Sequence, residues 1–373
     1  MNKQELTYWI TLSMIPRMWT KRKNEIYVNC FKHEPRVSII QLFEDSSVWD
    51  DISLTDDEKS MFTEAKSQLS NNSFLVEELL AQGYDIIPIT FPEYPALLKE
   101  NLKAGAPTVI YTKGNKKLFQ ENAVAIVGSR KADSVSLSFT SNIVSSATHE
   151  NKVVVSGFAK GVDRQALDAA LAFNGKCIIV LPQGITTFAS GFKQYYKPIL
   201  EGKVIVMSSF FPKAPWSVEF AMARNPIIYG LANEIYVAQS DSKGGTWSGV
   251  LDGLRKGRTI FVRCPDSGEK NANRELIQKG GTPIDFYGNV CNTNFADNKA
   301  PYITAKIDYN DLIVKALKGG PLSSKSIIEK CKFDWSDVKM KKQLRSMSNI
   351  EESKSKNRIF FHLKDFVEHT LFD

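Results

Sequence analysis

Hydrophobic positions follow two grammars along this chain, and the change comes at Val124. Before it, apolar residues recur at helical spacing in LTYWITLSMI, VSIIQLF and TDDEKSMFTEAKSQL. The last of these opens on Thr55, an N-cap residue, followed by acids that suit a helix N-terminus. Residues 1–80 therefore predict a small, mostly helical domain. DIIPIT (85–90) and TVIYT (108–112) read as short strands, with FPEYPALL between them a turn and one helical turn.

From Val124 onward, short β-branched runs alternate with helix-length segments. The runs are VAIVG (124–128), VVVSG (153–157), CIIVLP (177–182), KVIVMS (203–208), EIYVA (234–238) and TIFVR (259–263). Between them lie segments 135–149, 163–174, 191–201, 217–231 and 246–257. Runs that are apolar throughout suit strands covered on both faces. Crossover helices between such strands imply parallel pairing. The predicted fold class is α/β: a doubly wound, mostly parallel sheet over 81–287, preceded by the helical domain. GNVCNTNFADNKAPY (288–302), polar and rich in Asn, predicts a linker. Over 303–373, DLIVKAL, the GGPLSSKSIIEKC stretch, DWSDVKMKKQLRSM and RIFFHL predict three helices and a strand, the pattern of a winged-helix-like module.

Composition narrows the class. Hydrophobic residues make up 43% and charged residues 24%, a globular balance that excludes a disordered or fibrous chain. No window approaches the ~20 apolar residues of a membrane span. The start, MNKQELTYWITLSM, lacks a basic leader feeding an apolar run, so a cytoplasmic location is expected. Five scattered cysteines without a CxxC pair argue against a disulfide framework or a structural zinc; Cys177 and Cys264 read as core packing. Four histidines show no metal-binding spacing, and no cofactor is expected. The net charge of +7 is uneven, negative over 1–122 and positive beyond, which points to a polyanionic partner for the last two-thirds.

In a doubly wound sheet the C-terminal strand ends converge on one edge, where ligands bind. Here those ends supply Gly128-Ser129-Arg130-Lys131, then Ser156-Gly157-Phe158-Ala159-Lys160-Gly161-Val162-Asp163, then Ser242-Lys243-Gly244-Gly245-Thr246 before a helix. Glycine admits close backbone approach, and the amides of a helix N-terminus favour phosphate. Arg130, Lys160 and Lys243 add positive charge. The dinucleotide rhythm GxGxxG is missing, so a conventional NAD domain is disfavoured. Phe158, Tyr195, Tyr196, Trp216 and Trp247 lie in or near the loops, where rings stack on bases, although Phe158 and Trp247 are equally suited to packing the sheet edge. The basic helix carrying Lys339, Lys341, Lys342 and Arg345 suits either DNA or a solvated face.

The runs VAIVGSRKADS, VVVSGFAKGVDRQALDAAL, RNPIIYGLANEIYVAQ and KGGTWSGVLDGLRKGRTIFV, with FPEYPALLKENLKAGAPTVIYTKGN upstream, resemble the DNA-processing protein A family over roughly residues 80–285. That resemblance implies a Rossmann-like core and a non-enzymatic, cytoplasmic, typically dimeric protein. It implies binding of single-stranded DNA and help in loading RecA recombinase during transformation or recombination. Carried over by residue, it implies DNA contacts at Gly128, Ser129, Arg130, Ser156, Gly157, Lys160, Gly161 and Asp163. It adds Arg224 and Asn225, and the last loop with Lys243, Gly244, Gly245 and Thr246. A carboxylate has the wrong charge for phosphate, so Asp163 is expected to N-cap the following helix and orient the Gly157–Gly161 loop.

The chain departs from the family pattern at Pro226, where a third basic residue is expected, at Leu167 in place of His, and across ITTFASGFKQYYKPILEG. Two alternatives stand beside the leading reading. Nucleoside-monophosphate phosphoribohydrolases share a Gly-Gly-Thr loop but need PGGxGTxxE. Here Lys243 takes the Pro position, no Glu follows Thr246, and the nearest acid is Asp252. A nucleotide-sensing component of a phage-defence system would carry the same loops.

Overall fold

The structure is a computed structural model that describes residues 2–291, 309–318, 320–331, 336–355 and 358–364. It divides into two compact units, Met1–Ala300 and Pro301–Asp373. Of the expected linker at 288–302, residues 292–302 lie outside the described residues.

The first unit is built on nine strands: β1 (Asp85–Pro88), β2 (Val109–Gly114), β3 (Ala123–Val127), β4 (Val153–Ser156), β5 (Cys177–Val180), β6 (Val204–Ser208), β7 (Glu234–Val237), β8 (Thr259–Arg263) and β9 (Thr282–Ile284). Their order is β1-β2-β6-β5-β4-β3-β7-β8-β9. β1 with β2 and β2 with β6 are antiparallel; every other pair is parallel. The doubly wound, mostly parallel sheet is therefore as expected from the β-branched runs. From β3 the chain winds outward to β6, then returns to lay β7 on the opposite flank of β3. The C-terminal ends of β3 and β7 thus border the switch point, the crevice where this architecture binds ligands.

β3, β4, β5 and β6 are buried along their whole length, as continuous apolar runs require. The segment 217–231 forms two helices, Val218–Ala223 and Asn225–Gly230, where the pattern predicts one. Pro226 explains the break: it has no amide hydrogen to donate to the carbonyl four residues back, and it is well placed in the first turn of a new helix. β9 was not anticipated, since three residues with a central proline carry too short a pattern.

Five helices precede the sheet: Lys3–Met14, Thr20–Lys32, Ile39–Glu44, Asp56–Lys66 and Leu69–Ala81. Thr55 caps the fourth as expected, accepting from the Glu58 amide at 3.3 Å in a reciprocal capping box. Trp9, Ile26, Leu42 and Phe62 join the same hydrophobic core as the sheet. Cys177 is in that core and Cys264 packs against it. Among the described residues, no helix is long and apolar enough to cross a membrane.

In the second unit, helices Tyr309–Leu317, Ser324–Cys331 and Asp337–Ser346 lead into an antiparallel hairpin, β10 (Ile350–Ser355) and β11 (Arg358–Leu363). Its own small core includes Ile313, Leu317, Ile327, Met340, Leu344 and Phe361. On the basic helix, Lys341 pairs with Asp337 at 2.8 Å and Arg345 with Glu352 at 2.9 Å.

Lys23, in the second helix, is buried, and its ammonium donates to the Ser13 carbonyl at 2.6 Å. Burial lowers its pKa to about 8. Because the folded value lies below the unfolded one, holding the charge costs stability below pH 8, and the cost fades as pH rises toward the unfolded value near ~10.4. Lys23→Met is therefore expected to stabilise the protein at pH 7, by up to about 3 kcal/mol. The gain should shrink between pH 8 and 10, as read from paired denaturant titrations.

Candidate nucleic-acid interface

The loops after β3 and β7 and the helix pair at 218–230 enclose a cleft of about 420 Å³ at the switch point. Gly128, Ser129, Arg130, Asp163, Arg224, Asn225, Lys243, Gly244, Gly245 and Thr246 line it, so most of the expected site residues do converge. Ser156, Gly157, Lys160 and Gly161 do not line it. Ser156 is wholly buried and donates to the Ile126 carbonyl at 2.8 Å, tying β4 to β3. Lys160 is exposed outside the cleft.

The glycines are there for close packing. A Cβ on Gly128 would stand 2.5 Å from Val162 Cγ2, and one on Gly161 would stand 2.3 Å from the Ser129 carbonyl oxygen. The first two loops therefore press directly against each other, backbone to backbone. A Cβ on Gly157 would fall 1.5 Å from a nitrogen of the Arg224 guanidinium. Gly161 also needs its φ of +80°, a backbone conformation that other residues rarely hold.

Arg224 is the main correction to the sequence reading. It is only 3% exposed, and its Nη2 donates to the Gly157 carbonyl at 2.9 Å while pairing with Asp163 Oδ2 at 3.5 Å. Both partners are buried, so this cation braces the floor of the cleft. Asp163 differs from expectation too. The N-cap of the helix Val162–Ala172 is Gly161, and Asp163 is one residue inside it. Its carboxylate instead answers Arg224 and the Ala159 amide, which does orient the glycine loop. Burial pushes the Asp163 carboxyl up against the pull of Arg224, and burial lowers the Arg224 guanidinium.

The sequence held a signal for this pair. Asp163 shares a helix face with Ala166, Leu167 and Ala170, all fully buried, and a carboxylate on an apolar stripe demands a cation nearby. Leu167, where the family pattern has His, belongs to that same packed face. Tyr229 was missed altogether: it lines the cleft and is buried, with no partner for its hydroxyl.

The solvent-facing charge belongs to Arg130, Lys131 and Lys243, which are exposed and make no ion pair among the described residues. Asp133, a plausible partner for Arg130, is spent instead on capping the helix Ser134–His149, accepting from the Ser136 amide at 2.7 Å. The Arg130 guanidinium lies 6.0 Å from the centroid of the Trp216 ring, which is 49% exposed. The helix Gly245–Arg255 starts on Gly244, at φ +95°, and has no side-chain cap, so its first amides are left for another acceptor.

The other rings divide by depth. Phe158 packs edge-on against Phe188 and Tyr195, with centroids 4.7 and 5.7 Å away. Tyr195 is buried, its hydroxyl donating to Asp168 at 2.9 Å, which removes it from the candidate base-stacking rings. Trp247 is half-buried against the core, and Tyr196 is 64% exposed. Asp252, the acid nearest the Gly-Gly-Thr loop, lies outside the cleft and pairs with Arg255 and Lys256.

The family model for DNA recombination-mediator protein A matches residues 85–293 of this chain. The chain belongs to that family. Its relatives include the DNA processing protein DprA of Streptococcus pneumoniae, 31% identical over 179 residues, 47% of this chain and 62% of that protein. The match thus spans less than two thirds of the pneumococcal relative. The DNA processing protein DprA of Bacillus subtilis is 28% identical over 207 residues, 54% of this chain and 69% of that protein. In structure, the chain is similar to the X-ray structure of the S. pneumoniae protein, with a TM-score of 0.61 at 23% identity. That alignment covers 76% of this chain and 95% of the other.

Removing one member of a buried ion pair strands the other. Arg224→Met is expected to cost about 3 kcal/mol by leaving Asp163 unanswered. Adding Asp163→Asn should recover much of that loss. Urea denaturation of the two single variants and the double variant measures the coupling; additive losses would mean that the pair does not brace the floor.

Proposed function

We propose that this protein is a non-enzymatic single-stranded-DNA-binding protein that processes incoming DNA in transformation or recombination, acting as a cytoplasmic homodimer that aids RecA loading. The observation that carries the reading is the cleft at the switch point of a family fold tied to DNA recombination. There, three exposed cations and an uncapped helix start face the same opening. Amides and cations grip phosphate without reading sequence, and the half-exposed Trp216 beside Arg130 offers a ring to a base. A flexible strand can bring both its phosphates and its base faces to such a site, whereas a duplex hides the faces.

Gel shifts with single- and double-stranded DNA of one length, at several salt concentrations, test the reading. Tighter binding to the single strand, with little base preference, is expected; equal affinity for both forms, or none, would overturn it. Within that assay, Arg130→Ala should flatten the log-affinity against log-salt slope by about 0.7, the value of one single-strand phosphate contact. Its melting temperature should stay close to the parent's, because no ion pair of Arg130 is lost. An unchanged slope with a lowered melting temperature would make Arg130 scaffold.

The second unit, proposed as a winged-helix-like module, holds its own core. We assign DNA binding to the first unit, which contains the whole cleft. A chain cut after Ala300 should stay soluble and bind single strands within a few-fold of the full chain. Loss of binding by a truncation that still melts cooperatively would move the main DNA contact to the second unit.

A further inference from the structure

The cleft holds more than an internal phosphodiester of a DNA strand requires. Its exposed charge is three cations, Arg130, Lys131 and Lys243, against one carboxylate, Asp241. The buried Arg224–Asp163 pair beneath them cancels itself. The opening is therefore left with two more cations than carboxylates. An internal phosphodiester brings one negative charge; a terminal phosphomonoester brings nearly two at neutral pH, with three strong acceptor oxygens.

The floor of the cleft also carries an unanswered donor. Arg224 Nε is a buried donor with no hydrogen-bond partner, in a residue that lines the cleft, whereas the unpaired Tyr229 hydroxyl lies against Gly249, outside it. A buried donor without an acceptor is costly, so Arg224 Nε at the floor points to an acceptor the protein itself does not supply. The helix Gly245–Arg255 brings its uncapped first turn to the same space. At about 420 Å³, the cleft falls in the ~300–1,000 Å³ range usual for an organic ligand, which leaves room for a nucleoside beside its phosphate.

We propose that the switch-point cleft is a site for the terminal phosphomonoester of a nucleotide, either a free nucleoside monophosphate or the phosphorylated end of a DNA strand. The proposal deepens the DNA-binding reading and rests on the same cleft, but it gives the strand an end and admits a small competitor. A phosphorylated end seats its extra charge on Arg130, Lys131 and Lys243, which a mid-strand phosphate leaves in excess. A free nucleoside monophosphate fills the cleft alone and displaces the strand.

The test uses the full chain and fluorescence anisotropy on one oligonucleotide sequence in three forms: hydroxyl at both ends, phosphate at the 5′ end, and phosphate at the 3′ end. A second arm titrates AMP, or adenosine as control, by calorimetry and as a competitor of each oligonucleotide. At least tenfold tighter binding of one phosphorylated form, or binding of AMP but not adenosine, supports the site; the first identifies a strand end and the second a free nucleotide. Lys243→Ala should weaken the phosphorylated strand more than the unphosphorylated one and so shrink that tenfold preference. If all three oligonucleotides bind equally and AMP neither binds nor competes, the proposal fails while the DNA-binding reading stands. If AMP binds and no oligonucleotide does, the proposal stands and the DNA-binding reading fails. Absence of binding in both arms overturns both.

Discussion

Arg224 lies under the cleft with a single carboxylate to answer its charge, and much of the ligand edge is arranged around that fact. A buried guanidinium is costly unless its donors are met. Asp163 and the Gly157 carbonyl meet part of the need, and only a residue without a side chain fits at 157. Asp163, in the first turn of the helix Val162–Ala172, also holds the Ala159 amide of the glycine loop. The tightness then passes outward, because Gly161 lies against the Ser129 carbonyl and Gly128 against Val162. One buried pair thus sets how the glycine loop at 157–161 packs beneath the loop at 128–131 that lines the cleft.

This arrangement separates two roles that a glycine-rich, basic motif leaves mixed. Glycines at 128, 157 and 161 serve backbone packing, and the cation at 224 serves the floor. Arg130, Lys131 and Lys243 are exposed and make no ion pair among the described residues; the acid close in sequence to Arg130, Asp133, caps a helix instead. Buried floor and exposed rim divide the work. The buried pair holds shape without contributing net field, and the long exposed side chains supply the field and reach for phosphate.

How much of this was legible depends on what a residue type can reveal without depth. The strands from β3 to β8 announced themselves, because β-branched runs bounded by turns have few other uses. Thr55 marked its helix through a capping box that is purely local. β9 was hidden because Thr282–Ile284 is held by β8 and has little pattern of its own. The hairpin strand β10 is missing from the expected three helices and a strand because its residues, IEESKS, lack an apolar rhythm; it is set by its pairing with β11. At the site, the loops were found and the depth was not. Arg224 and Tyr195 look like exposed binding residues by type, yet burial makes one a brace and the other packing. A charge reads as solvated until a complementary charge on an apolar face, here Asp163, shows otherwise.

Topology explains why the same opening can serve a polymer and a small ligand. Winding out from β3 and returning at β7 leaves a crevice at the C-terminal ends of both strands, with the helix pair at 218–230 along one wall. A helix start enters from one side and cations from both. Such a crevice selects phosphate first and whatever is attached to it second, because its helix start and its excess of cations both answer negative charge. At the outer rim, Trp216, Val218 and Met222 are exposed apolar side chains, where a base following its phosphate out of the crevice would meet them. The discrimination between a strand and a free nucleotide then rests on that rim, since the floor and the helix start treat both phosphates alike.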